Sequence, residues 1–157
     1  MKGFIKKLLR EGLEDMVWYH GTSNNFTKFD MNSVGSSTDD GWWGHGIYFH
    51  SDKDRGGYGN IVKSVRLNFK NPITLPSYDV GGFLYNLIGE KANLDVEYKE
   101  ESPMNIIRTI GKKEFTNICL SLGYDGLIIK YVEGTSEAVV FDDSVIQIIN
   151  QNVNELT

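Results

Sequence analysis

This sequence predicts an α+β fold with mainly antiparallel strand pairing. Three observations lead there. Short apolar stretches of strand character cluster towards both ends of the 157-residue chain. Helical spacing of apolar residues dominates the middle, over Tyr78–Leu122. Strands and helices do not alternate along the chain, so a parallel sheet built from βαβ units is not indicated.

Taken in order, Lys2–Glu14 reads as an amphipathic helix. Phe4, Ile5, Leu8, Leu9 and Leu13 fall at roughly helical spacing, with Lys2, Lys6, Lys7 and Arg10 elsewhere on the wheel. Residues 1–16 are set apart as this helix and 17–157 form one domain, because no repeat or linker divides them. Val17–His20 is a brief strand that runs into a turn at Gly21-Thr22-Ser23. Phe26 and Phe29 anchor a polar loop, and Asn32–Asp40 is a Ser-, Gly- and Asp-rich loop. Ile47-Tyr48-Phe49 is a buried strand, β-branched and aromatic. Before it, Gly44 and Gly46 allow a tight turn or close approach to a ligand. After it, Ser51 and Asp52 carry helix-cap chemistry.

Ile61–Phe69 alternates Val65, Leu67 and Phe69 with Ser64, Arg66 and Asn68, a half-buried strand. Asn71-Pro72 ends it and Pro76 breaks the chain again. Tyr78–Ile88 is a helix weakened by Gly81 and Gly82, and Glu90–Glu101 is polar and solvent-facing. Ser102-Pro103 caps a helix or helix pair running through Ile106, Ile107, Phe115 and Ile118, which Gly123 stops. Leu127–Val132, Ala138–Phe141 and Val145–Ile149 are the last strands, the first two joined by a turn at Glu133–Ser136.

Composition bounds the function. Apolar content of 40% and charged content of 24% are those of a soluble globular domain. The net charge is −5 and no basic patch interleaved with aromatics is visible, so charge does not indicate a nucleic-acid partner. No apolar run is long enough for a membrane span. The single Cys119 excludes an internal disulfide and a cysteine-built metal site, and His20, His45 and His50 lack zinc-protease spacing, so no metal is expected. Met1–Arg10 is basic without a signal-peptide apolar core, which makes the cytoplasm the expected compartment. Neither a GxGxxG after the first strand nor a GxxxxGK[ST] is present.

Five short motifs remain: Tyr19-His20-Gly21-Thr22, Gly44–Phe49, Asn71-Pro72, Gly123–Gly126 and Glu137–Asp142. Each alone reads as packing or turn chemistry. In this order they resemble the His–Tyr–Glu class of ADP-ribosyltransferases, which holds diphtheria toxin and the poly(ADP-ribose) polymerases. They are more closely similar to the small ADP-ribosyltransferase domains of bacteriophage polyvalent proteins. The resemblance runs from about Val17 to Ile149, and it implies that family's split, mainly antiparallel sheets with flanking helices.

It also implies a reaction. ADP-ribosyltransferases break the bond between nicotinamide and ribose in NAD, so positive charge grows on the ribose, and a carboxylate placed there stabilises the transition state. By resemblance Glu137 is that carboxylate, and His20 holds the adenosine-side ribose. The backbone of Gly21, with Thr22 beside it, takes the carboxamide. Tyr48 and Tyr58 sandwich the nicotinamide ring. The catalytic set is then Glu137, His20 and Tyr48. Arg55 stands where the polymerases carry a small hydroxyl residue, so that either Ser51 or a shifted loop takes over or nicotinamide is held differently. The implied function is mono-ADP-ribosyl transfer to a macromolecular acceptor, expected to be a host or target protein. An NAD glycohydrolase and a non-catalytic NAD- or protein-binding module are the alternatives. Arginine-modifying relatives carry Glu or Gln two residues before the catalytic glutamate. Thr135 stands there, so arginine is not the expected acceptor.

Overall fold

The computed structural model describes residues 16–23, 26–33, 41–54, 61–78 and 82–150. The Lys2–Glu14 helix, Arg55 and Tyr58 lie outside the described residues. Seven strands form one sheet: β1 (Trp18–Thr22), β2 (Ile47–His50), β3 (Ile61–Leu67), β4 (Pro72–Pro76), β5 (Gly126–Lys130), β6 (Ser136–Val140) and β7 (Ile146–Asn150). Their order is β4-β5-β6-β2-β1-β3-β7, and every neighbouring pair is antiparallel except β4 with β5. The α+β class and the mainly antiparallel pairing therefore hold. The split falls between β1 and β2, which share the one register pair Tyr19 opposite His50.

Two expectations need correction. Gly21 and Thr22 are not a turn; they continue β1, opposite Val62 and Ile61 of β3. Pro72 and Pro76 do not merely break the chain but bracket β4. An edge strand tolerates proline because only one side needs donors. The Ser77 N–H bonds the Lys130 carbonyl at 2.9 Å, so the odd-numbered residues face β5 and both prolines turn their missing donors outward. Inside this bracket Ile73 and Leu75 are buried.

Between β4 and β5 the chain forms α1 (Phe83–Ile88), α2 (Pro103–Ile110) and α3 (Lys112–Ser121). The Ser102 hydroxyl accepts from the Asn105 N–H, with Pro103 in the first turn, as the sequence pattern expects. Gly111, at φ 98°, separates α2 from α3, so the single long periodicity resolves into a pair. Ile106, Ile107 and Phe115 are fully buried against Leu127, Ile129 and Val139 of the sheet. Each such side chain contributes roughly 1.5–3 kcal/mol. The Glu90–Glu101 stretch is less uniformly solvated than its composition suggests, since Ala92 and Leu94 pack against this cluster.

The opposite face carries a second cluster, with Trp18, Phe49, Val65 and Ala138 covered by Phe29 and flanked by Phe26. Asn71 and Asp125 tie the two ends of the β4–β5 crossover together. The Asp125 carboxylate accepts from the N–H groups of Lys70 (2.7 Å) and Asn71 (3.1 Å), and the Asn71 amide donates to the Gly123 carbonyl (3.1 Å). Two of the five sequence motifs are thus a structural clasp. Among the described residues, no helix is long and apolar enough to cross a membrane.

Candidate active site

Glu137 sits on β6, opposite His50 of β2, which is in turn opposite Tyr19 of β1. The three form one row across the seam of the sheet. Alternate residues of a strand face opposite sides, so Glu137 shares its face with Tyr48 and Val139 and with the helix-covered cluster. Its Oε1 accepts a 2.8 Å hydrogen bond from the Tyr131 hydroxyl, and that oxygen in turn accepts from the Trp43 indole N–H at 3.3 Å. Burial pushes the Glu137 carboxyl above the ordinary carboxylate range, against the opposing pull of Tyr131, His50 and Trp43. Burial and then the charge of Glu137 push the Tyr131 phenol up to about 12, so it stays a proton donor at neutral pH.

Tyr48 lies on the same face but is tightly engaged. Its hydroxyl donates to the Gly44 carbonyl (2.6 Å) and accepts from the Trp43 N–H (2.9 Å). Gly41, at φ 75°, lies against its ring, where a Cβ would collide with it. Thr116, buried on α3, fixes the other end of this loop: its hydroxyl accepts from the His45 N–H (3.0 Å) and donates to the His45 carbonyl (2.8 Å). Gly46 approaches the Val140 carbonyl of β6. These glycines thus serve close packing against the chain's own strands and helix.

His20 occupies the next row, opposite Lys63 of β3. Its ring packs among Phe29 and Phe49, with centroids 5.2 and 5.4 Å away. Its Nδ1 lies 2.7 Å from the Tyr48 carbonyl. A carbonyl only accepts, so Nδ1 carries the proton and Nε2 of the neutral ring is an acceptor. Burial lowers its pKa, with the Tyr48 carbonyl pulling the other way. The structure therefore does not set His20 and Glu137 side by side on one face. It connects them through a chain of hydrogen-bonded residues: His20, Tyr48, Trp43, Tyr131, Glu137.

Ser51 follows β2. Its Oγ accepts from the Ser136 N–H (2.8 Å) and its own N–H bonds the Ser136 carbonyl (2.9 Å), closing the ladder beside Glu137. Asp52 shows the cap-type bond its sequence suggests, its Oδ1 accepting from the Asp54 N–H (3.0 Å), while its own N–H donates to His50 Nδ1 (3.0 Å). The residues that sequence reasoning missed are Tyr131 and the indole of Trp43. Ile129 pairs with Glu137, so Tyr131, two residues on, shares its face; that spacing was the available signal. Two concavities of about 390 and 300 Å³ lie on the helical side, and neither is lined by Glu137 or His20. The hydrogen-bond chain and the shifted carboxyl, not cavity size, mark the candidate site. Among the described residues, no group of three or more His, Cys, Asp or Glu could hold a metal ion.

A family model described as "ADP-Ribosyltransferase in polyvalent proteins" matches residues 11–156. The chain belongs to that family. ADP-ribosyltransferases take NAD as their substrate, and transfer to a macromolecular acceptor is the activity this membership supports in general. No curated protein matches the sequence. Among solved structures, a crystal structure of an anti-CRISPR protein is similar to this ADP-ribosyltransferase domain at a TM-score of 0.46 and 14% identity. That match covers 85% of this chain and 95% of the other. At that likeness nothing about activity transfers.

Proposed function

We propose that this domain is a mono-ADP-ribosyltransferase of the His–Tyr–Glu class, moving ADP-ribose from NAD to a partner protein with release of nicotinamide. The observation that supports this reading best is Glu137. It is a half-buried carboxylate whose ionised form is supported by a phenol donor that stays protonated at neutral pH. A carboxylate held this way is preorganised: it needs no reorientation as positive charge grows on the ribose. His20, with Nε2 left as an acceptor, suits a ribose hydroxyl donor. Gly21 and Thr22, now strand residues at the seam, offer backbone groups to the carboxamide. The Ser51 hydroxyl oxygen accepts from the Ser136 N–H and so keeps its own proton for donation. Tyr48 contributes one edge of the nicotinamide site, with Tyr58 its proposed partner. The cytoplasm of the producing or infected cell is the proposed compartment; a phage setting fits the polyvalent-protein family, and a toxin role is part of the proposal.

The test is incubation of the full chain with NAD labelled on the adenine side, in a lysate of candidate host cells. Nicotinamide release together with labelled protein is the expected result. Release with only free labelled ADP-ribose would replace transfer by glycohydrolysis. Absence of both products would sink the enzymatic reading.

A further inference from the structure

One concavity, of about 300 Å³, is lined by Trp42, Met104, Ile107, Arg108 and Lys112. Nothing in the proposed NAD chemistry uses it. Trp42 is 65% exposed, an unusual cost for the largest apolar side chain, while its neighbour Trp43 is buried and reaches Tyr131. The loop therefore presents one indole to the Glu137 hydrogen-bond chain and the next to solvent beside α2. Met104 and the buried Ile107 give the concavity an apolar floor. Arg108, in the last turn of α2, and Lys112, in the first turn of α3, give it a cationic rim. Lys112 already has an interaction partner of its own, so the rim relies chiefly on Arg108.

We propose that this concavity is the acceptor-docking subsite and takes a protein segment with one apolar side chain flanked by carboxylates. As an acceptor subsite it rests on the transfer reading above. Its volume is at the lower end of ligand sites, which fits a single inserted side chain. Aromatic and arginine residues are the usual anchors of protein interfaces, and a local positive rim selects a short acidic segment by complementarity despite the chain's net charge of −5. The same net charge disfavours a polynucleotide, which would need cations along its whole track.

The experiment uses the full chain and a fluorescein-labelled peptide with one phenylalanine flanked by aspartates, followed by anisotropy. The wild type is expected to bind it. Trp42→Ala, and separately Arg108→Glu, are expected to weaken binding at least tenfold with an unchanged thermal melt. Basal nicotinamide release from NAD should survive in the charge-reversed variant. A lysine-flanked peptide and single-stranded oligothymidine should not bind. Equal binding by wild type and charge-reversed protein, no binding of the aspartate peptide at all, or preference for oligothymidine would overturn the subsite. Peptide binding by a wild type that releases no nicotinamide would instead overturn the transfer reading alone.

Discussion

The two faces of the sheet hold their polar residues by opposite means. On the helix-covered face, Glu137 is held by side chains, through the Tyr131 hydroxyl and behind it the Trp43 indole. On the other face, His20 is held by backbone, through the Tyr48 carbonyl, inside a shell of phenylalanine rings. Burial opposes charge in both places, raising one pKa and lowering the other. The partners differ in what they favour. A phenol donor supports the carboxylate, whereas a carbonyl acceptor demands a proton on Nδ1 and leaves Nε2 to accept. The lesson is a division of labour: a carboxyl held by a hydrogen-bond donor at one side of the seam, a neutral hydrogen-bonding group at the other.

Glu137→Gln breaks the first half of that contrast and carries the largest expected effect. It keeps the shape and removes the charge, so nicotinamide release should fall on the order of a hundredfold or more. Stability should move the other way. A carboxyl whose folded pKa is raised favours the fold fully below its unfolded value, and that contribution is lost as pH rises through the folded value. Glutamine cannot ionise, so near pH 7 the variant should melt no lower than wild type, and the gap should close on acidification. A variant with near-normal release would remove Glu137 from the chemistry.

Tyr131→Phe sharpens the contrast by removing only the donor. Hydrogen bonds to charged groups contribute about 1.5–3 kcal/mol, so release at neutral pH should drop about tenfold. Without the phenol the Glu137 carboxyl rises further, and the acid limb of the pH–rate profile should shift to higher pH. A lowered melting temperature with an unmoved profile would reduce Tyr131 to packing.

Much of this layout was legible in the sequence, unevenly. Strands with inner alternation, such as Val65 and Leu67 of β3, announced themselves. The Ser102-Pro103 cap did so too, because its chemistry is local. β4 was hidden by prolines, whose meaning depends on whether a strand lies at an edge, which only the sheet order decides. For Gly21-Thr22 the turn propensity was overridden by a full ladder with β3. Glu137, His20 and Tyr48 stood out through the order of motifs. Tyr131 did not, because its role is a contact across a hairpin and not a motif. The placement of His20 and Glu137 in adjacent rows follows from register, which no local pattern encodes.

His20→Ala tests the second half. Removing the proposed ribose acceptor should raise the KM for NAD about fivefold, in line with one neutral hydrogen bond, with a smaller loss in kcat than Glu137→Gln. A group whose folded pKa is depressed stabilises fully above its unfolded value, near 6.5, and that contribution is lost as pH falls through the folded value. The stability gap between wild type and variant should therefore be widest at neutral pH and shrink on acidification. Calorimetry giving the same NAD affinity for both proteins would take His20 out of the site.

The smallest effect is expected at the turn joining β5 to β6, which has no counterpart on the His20 side. Two residues before Glu137, the Thr135 hydroxyl donates to Glu133 Oε1 at 2.9 Å, so the turn's carboxylate is engaged within the turn. Arginine is a cation at neutral pH and becomes a nucleophile only if a nearby base orients or deprotonates it. Thr135 is no base, and Glu133 already accepts a hydrogen bond. Glu133→Gln should therefore change transfer by less than about threefold, since an exposed neutral hydrogen bond contributes little. ADP-ribose should be found on residues other than arginine. Mass spectrometry of modified lysate decides: modification mainly on arginines, lost in Glu133→Gln, would mean that Glu133 reorients toward the acceptor and that the Glu137 side of the seam carries two working carboxylates instead of one.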